Sequence, residues 1–201
     1  FTVRPNVRAL RVLFDGKRAT GVEVESGGDT FTVEGEEIVV SAGAIGSPHL
    51  LMLSGVGPAD HLRGLGIQVV HDSPGVGQNM RDHPSVRVRV DVKEGFQLHP
   101  QKPREYVTLR YTSDGSSTRN DIIVNASNFS TMVQSGGGAL EAYGVQFSCS
   151  LQLAVGAGQL TLTSADPNVQ PHLEFRYLAE PWDRQRMRDA IGLCVRLLVR
   201  D

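Results

Sequence analysis

The sequence predicts a mixed fold, α/β followed by α+β: a β-meander with short helices first, then a mostly antiparallel sheet with helices laid on one face. Three observations carry this reading. Residues 1–40 alternate β-branched runs with turn dipeptides, residues 41–64 hold two short helix signals, and beyond Pro84 the chain changes to strict two-residue alternation. The expected division is therefore residues 1–84 and 85–201.

The meander comes first. Arg8 to Phe14 and Ala19 to Glu25 flank the turn dipeptide Asp15-Gly16, and Gly27-Gly28 separates the second strand from Thr30 to Val33. Glu36 to Val40 then reads as a buried strand that closes on small residues, Ser41-Ala42-Gly43-Ala44, where a ligand or another backbone can come close. Ser47-Pro48 pairs an N-cap residue with Pro at the first helical position, opening a short helix that stops at Gly55. A second short helix starts at Pro58 and ends near Gly64, and Ile67 to Val70 reads as a brief strand. The turn-rich stretch from Ser73 to Asn79 closes on Asp82-His83-Pro84.

Ser85 to Val92 alternates as a strand with one wet face must. Further strands are expected at Asp121 to Phe129, Gly144 to Val155 and Gln159 to Thr163, with Gly136-Gly137-Gly138 as one of the links. From Asp183 to Val199, Met187, Ala190, Ile191, Cys194, Val195 and Leu198 recur at spacings of three and four. Arg184, Arg186, Arg188, Asp189 and Arg196 fill most other positions, the pattern of an amphipathic helix. The chain opens on Phe1 without a Met and stops inside this helix, so it is expected to be an internal piece of a longer protein.

Composition excludes several functions. With 20 Lys plus Arg against 22 Asp plus Glu and no basic block, the chain lacks the concentrated positive patch that nucleic acids and acidic membranes require. No apolar run reaches the roughly 18 residues of a membrane span, and no basic-then-apolar leader opens the chain, so a soluble, cytoplasmic protein is expected. Cys149 and Cys194 form no CxxC pair and read as reduced, buried thiols. The six histidines show no metal-ligand spacing, and no metal site is expected.

Candidate chemistry is sparse. Asp82-His83 suits loop closure or capping better than catalysis, because adjacent side chains diverge. Ser54-Gly55 lacks the glycine that a nucleophile elbow needs two positions earlier. Gly55-x-Gly57 and Gly75-x-Gly77 both lack the third glycine of a dinucleotide fingerprint. Arg87 and Arg89 form a stripe that suits a solvated strand face better than an anion-binding wall. Ser41 to Gly46 is the most informative stretch, since main-chain amides beside tiny side chains can reach adenine or ribose, although tight strand-helix packing would select the same residues.

Ala44 to Gly57 resembles the second signature of the glucose-methanol-choline (GMC) oxidoreductases: a small residue, Ser/Thr-Pro, two aliphatics, then Ser-Gly-aliphatic-Gly. Val39-Val40-Ser41-Ala42-Gly43 before it, Pro74 to Pro84 after it and Leu160 to Pro167 further on agree with the same family. The resemblance implies part of a Rossmann-like domain that binds FAD over residues 1–84, and part of a substrate-binding domain over residues 85–201. It implies that Ala42, Gly43 and Ala44 lie near the adenine half of FAD and that the backbone of Ala9 contacts adenine.

The family's chemistry is hydride transfer from the CH–OH carbon of a small-molecule alcohol to flavin N5, and the motifs look closer to choline dehydrogenases than to oxidases. The family's GxGxxG segment and its active-site His segment have no counterpart within residues 1–201. No catalytic residue is therefore expected in this chain, and the isolated chain is expected neither to retain FAD nor to oxidise alcohols. A GMC-fold lyase and a non-enzymatic sheet module that binds a partner protein are the competing readings; the electron acceptor stays open.

Overall fold

The computed structural model describes residues 1–90, 105–131 and 142–199. In chain order the elements begin with β1 (Arg8–Asp15), β2 (Arg18–Ser26), β3 (Asp29–Glu34), α1 (Gly43–Leu53), β4 (Val56–Gly57), α2 (Ala59–Gly64), β5 (His71–Asp72) and β6 (Gln78–Met80). They continue with β7 (Ser85–Val90), β8 (Glu105–Tyr111), β9 (Ile122–Thr131), β10 (Ala142–Leu151), β11 (Gly158–Thr161), β12 (His172–Glu174) and α3 (Pro181–Leu198). The chain divides into two compact units, residues 1–80 with 157–175 and residues 81–156 with 176–201.

In the first unit, β1, β2 and β3 form the expected meander, antiparallel throughout. Arg11 stands opposite Glu23 across β1 and β2, with Arg11 Nε 2.8 Å from Glu23 Oε2, a cross-strand ion pair on a partly wet face. A second sheet runs β12-β11-β6, and β4 pairs with β5 in parallel. The core gathers Met52 of α1, Leu62 of α2, Met80 of β6 and Leu160 and Leu162 from the returning segment. Burying each such side chain contributes about 1.5–3 kcal/mol, and this is what holds the short helices, too short to persist alone, against the sheets.

Several expectations are corrected here. Residues 36–40 form no strand among the described residues, and Val39 is 79% exposed, because no neighbouring strand accepts the hydrogen bonds of this run. α1 starts at Gly43, four residues before Ser47, so Ser47 is not its N-cap and Pro48 lies inside the helix. The Gly43 φ of +81° turns the chain early, and Pro48, without an N–H, leaves the Ala44 carbonyl without its helical donor. The strand expected at 67–70 falls instead at His71–Asp72. The strand expected at 159–163 pairs with β6 and β12, so it returns to the first unit and does not extend the sheet of the second unit. A single cut at residue 84 has no place for that return.

The second unit holds the expected antiparallel sheet, in the order β7-β10-β9-β8, with α3 packed on one face. Alternation sorts its faces. Val86 and Val88 lie with Phe147, Cys149, Leu151, Ile122 and Val124 against Met187, Ala190 and Cys194 of α3, while Arg87 and Arg89 are exposed on the other side. β8 and β12 were not foreseen. The expected residues 91 and 92 of β7 and the Gly136–Gly138 link lie outside the described residues.

One buried polar cluster fastens α3. The Arg186 guanidinium, only 2% exposed, donates to Asp121 Oδ2 at 2.9 Å, to the Leu153 carbonyl at 2.9 Å and to Asp183 Oδ1 at 2.5 Å. Asp121 also accepts the Ser113 N–H, and Asp183 accepts the N–H groups of Val155 and Gly156. Burial alone would push both carboxyls up, but these N–H donors and Arg186 outweigh it and hold each below its ordinary value. Folded values below unfolded ones mean stability that is present above the usual carboxylate range and lost as the pH falls through the folded values. Acid titration followed by hydrogen exchange is accordingly expected to open β9, β10 and α3 below about pH 4; protection that is flat down to pH 2 would contradict this.

Candidate functional site

The site expected near a nucleotide is the start of α1. Ser41, Ala42, Gly43 and Ala44 are all exposed, and no side chain caps the helix. Gly43 needs its φ of +81°, while a Cβ built there would meet nothing within 4 Å. Its glycine is thus demanded by backbone conformation, and the space beside it is open. Gly46 packs closely under this turn, its would-be Cβ 3.0 Å from the Ala42 Cβ. The head of this helix is therefore uncapped and exposed beside three tiny side chains, an open surface that suits a flat, polar ligand.

Ala9 lies on β1, where its side chain is exposed beside an irregularity that offsets the β1–β2 register between Ala9 and Arg11. α1 packs against β1 in the same unit. That contact is fixed by Ser54, whose Oγ accepts the Val12 N–H at 2.8 Å and donates to the Leu50 carbonyl at 2.6 Å. Gly55 follows with φ +87°, where a Cβ would come 2.3 Å from the Gln68 carbonyl oxygen. The Ser-Gly of the signature is therefore a joint between helix, strand and loop, with no nucleophile in it.

Sequence reasoning missed the neighbours of Ala9. Arg8 donates to Asn168 Oδ1 and to the Pro167 carbonyl, tying the Leu160–Pro167 motif to the head of β1. Burial first, and the Arg8 charge second, lower the pKa of His49, so this imidazole is neutral at pH 7. His61 Nε2 accepts the Leu162 N–H at 3.1 Å and acts as a second structural tie. Charge spacing could have suggested none of these, because the partners are far apart in sequence.

In the second unit, Asp82 and His83 diverge as expected. Asp82 Oδ1 accepts the His83 N–H, and Tyr177 Oη donates to Asp82 Oδ2 at 2.7 Å. The His83 ring meets the Leu151 carbonyl at 3.1 Å through Nδ1. Both side chains close loops. Among the described residues no group of His, Cys, Asp and Glu could hold a metal ion.

Among the described residues of the first unit, one cavity of about 990 Å³ is bounded by β1 from Leu10 to Phe14, by Ser54 and by residues 66–70. Another, about 420 Å³, is lined mainly by apolar groups including Val12, Ile38, Val40 and Leu51, and a further one, about 820 Å³, borders the meander between Leu13 and Glu36. None of Ala9, Ala42, Gly43 or Ala44 lines these cavities. The candidate nucleotide surface is an open ledge, and these cavities are separate from it.

Residues 1–85 match the GMC oxidoreductase family model. The oxygen-dependent choline dehydrogenase of Burkholderia lata is 36% identical over 94% of this chain and 38% of its own length. Its counterpart in Paraburkholderia phytofirmans is 34% identical, over 94% of this chain and 39% of its length. Among solved structures, a variant of formate oxidase from Aspergillus oryzae superposes with a TM-score of 0.81 at 22% identity, covering 98% of this chain and 43% of that one. The chain thus spans 38% to 39% of the length of these two curated relatives. The signature helix, its Ser54 joint and the uncapped ledge all fall within the matched stretch, and residues 1–85 of this chain belong to the GMC oxidoreductase family.

Proposed function

We propose that the intact protein carrying this chain is an FAD-dependent oxidoreductase that oxidises the CH–OH group of a small alcohol, as a dehydrogenase, with choline the first substrate to test. The observation that carries the reading is the exposed ledge Ala42-Gly43-Ala44 at an uncapped helix start, inside the family signature. FAD fits that ledge chemically: adenine and ribose offer hydrogen-bond partners for main-chain groups, and three small side chains leave them room. In this reading Ala42, Gly43 and Ala44 support the adenine half, and the Ala9 backbone borders it. When bound, FAD supplies the acceptor for the hydride leaving the alcohol carbon.

The chain's own residues contribute architecture. Ser54 keeps α1 on β1 and so keeps Ala9 and the ledge in a fixed relation, as preorganised binding demands. The first unit is read as the FAD-binding part and the second as the substrate-binding part, whose sheet presents alternate side chains on each face. Removal of the hydroxyl proton is assigned to no residue of this chain. A cytoplasmic location belongs to the same proposal; among the described residues no helix is long and apolar enough to cross a membrane.

The test is anaerobic addition of choline, or of other primary alcohols, to the intact protein. Bleaching of flavin absorbance is the expected result. Flavin that stays oxidised with every alcohol would favour a lyase, and a preparation without flavin would sink the reading. Ala44→Trp in the intact protein is expected to weaken flavin retention at least about tenfold, or about 1.4 kcal/mol. Free flavin measured by fluorescence after gel filtration checks it, and wild-type retention would remove Ala44 from the ledge.

A further inference from the structure

Cys149 on β10 and Cys194 on α3 stand 45 positions apart in sequence, yet their Sγ atoms are 3.1 Å apart. Both residues are wholly buried, in the core between the sheet and the helix. We propose that Cys149 and Cys194 form an oxidative modification site: a dithiol that hydrogen peroxide converts to a disulfide joining β10 to α3.

Closing the bond needs an approach of about 1 Å, since a disulfide holds its sulfurs about 2.03–2.05 Å apart. Burial pushes the Cys149 thiol up to about 12 and also raises Cys194, so both rest as thiols while the core is closed. Cys194 lies one turn from the end of α3, where helices open most readily, so it is the sulfur that peroxide reaches first.

The reaction balances as follows. The Cys194 thiolate attacks one peroxide oxygen, the O–O bond breaks, and a sulfenic acid forms while the released hydroxide takes up the thiol proton as water. The Cys149 sulfur then attacks the Cys194 sulfur, the S–O bond breaks, and the hydroxyl departs with the Cys149 proton as a second water. Two thiols lose two electrons and one peroxide gains them.

The bond has a topological consequence. Cys149 belongs to the first segment of the second unit and Cys194 to its last, and between them the chain leaves to build β11 and β12 in the first unit. The disulfide would make the second unit covalently continuous across that excursion and would shrink its unfolded ensemble.

The test treats the reduced intact protein with hydrogen peroxide, quenches it in acid with an alkylating agent and digests it for mass spectrometry. A cross-linked peptide pair joining Cys149 to Cys194 is expected, together with a rise of several degrees in the unfolding temperature of the second unit relative to the reduced protein. In Cys149→Ser, Cys194 is expected to stop at the sulfenic acid, trapped by a cyclic diketone. Recovery of both wild-type thiols as alkylated peptides, or as separate sulfinic acids without a cross-link, would overturn the proposal; the wild-type measurement decides even if the variant does not fold.

Discussion

Arg186→Ala in the intact protein is expected to unlock the second unit, at a cost of about 3–5 kcal/mol. Among the described residues the guanidinium is the only cation that meets the buried carboxylates of Asp121 and Asp183, and it also covers the Leu153 carbonyl. Truncating it leaves two charges in a dry environment with only N–H donors to compensate them. The loss is therefore larger than the net worth of the ion pairs, most of it being the penalty of stranded charge. Arg186→Lys should recover part of it, because an ammonium keeps the charge but cannot span two carboxylates and a carbonyl in one planar fork. Hydrogen exchange resolves the units where a single unfolding curve for a multi-unit protein does not. Protection in β9, β10 and α3 should fall by about a hundredfold or more, while β1 and β2 keep theirs. Unchanged protection in α3 would show that apolar packing alone holds the helix.

The same residue illustrates what sequence can reveal. The periodicity of Met187, Ala190, Ile191 and Cys194 located α3 to within two residues at its start, because burial of one face writes a local signal. Arg186 was read among the polar positions that fill the rest of the helix, but it is buried. Its partners come from the loop before β9 and from the helix's own first turn, and no spacing rule reports a pairing over 65 positions. The meander was legible for the opposite reason: Asp15-Gly16 and Gly27-Gly28 set hairpins between neighbours, so register is a local matter.

The strand at residues 36–40 failed since a buried strand is defined by its neighbours, and none of the described strands pairs with it. Ser47-Pro48 failed because the helix already begins at Gly43, upstream of that pair and with no side-chain cap, so the capping signal falls inside it. At the candidate ledge, the smallness of Ala42-Gly43-Ala44 was visible in the residues, whereas the ties of Arg8 to Asn168 and of Ser54 to Val12 join distant segments and were not.

The return of residues 157–175 to the first unit leads to the second large effect. Gly158 begins β11, and a Cβ built there would lie 1.7 Å from the Glu174 carbonyl oxygen and 2.9 Å from the Phe175 carbonyl carbon. Both are backbone atoms, one in the paired strand and one just past its end, so no rotamer change can relieve the overlap. Gly158→Ala must push β12 away from β11, loosening the pairs Gln159 with Glu174 and Leu160 with Leu173. Leu160 is part of the first unit's core, and the Leu160 N–H also donates to the Gly77 carbonyl at 2.7 Å, so the displacement reaches the β6 side as well. A cost of about 3 kcal/mol or more is expected, at the upper end for overpacking because main chain has to move. Exchange protection at Leu160 and Leu162 should fall by at least about a hundredfold, and flavin retention by the intact protein should fall with it if Arg8 and the Pro167 carbonyl help to seat β1. Should protection at Leu160 survive the substitution, the close approach of β12 to Gly158 would be wrong, and the returning segment could no longer be held to brace the first unit through that contact.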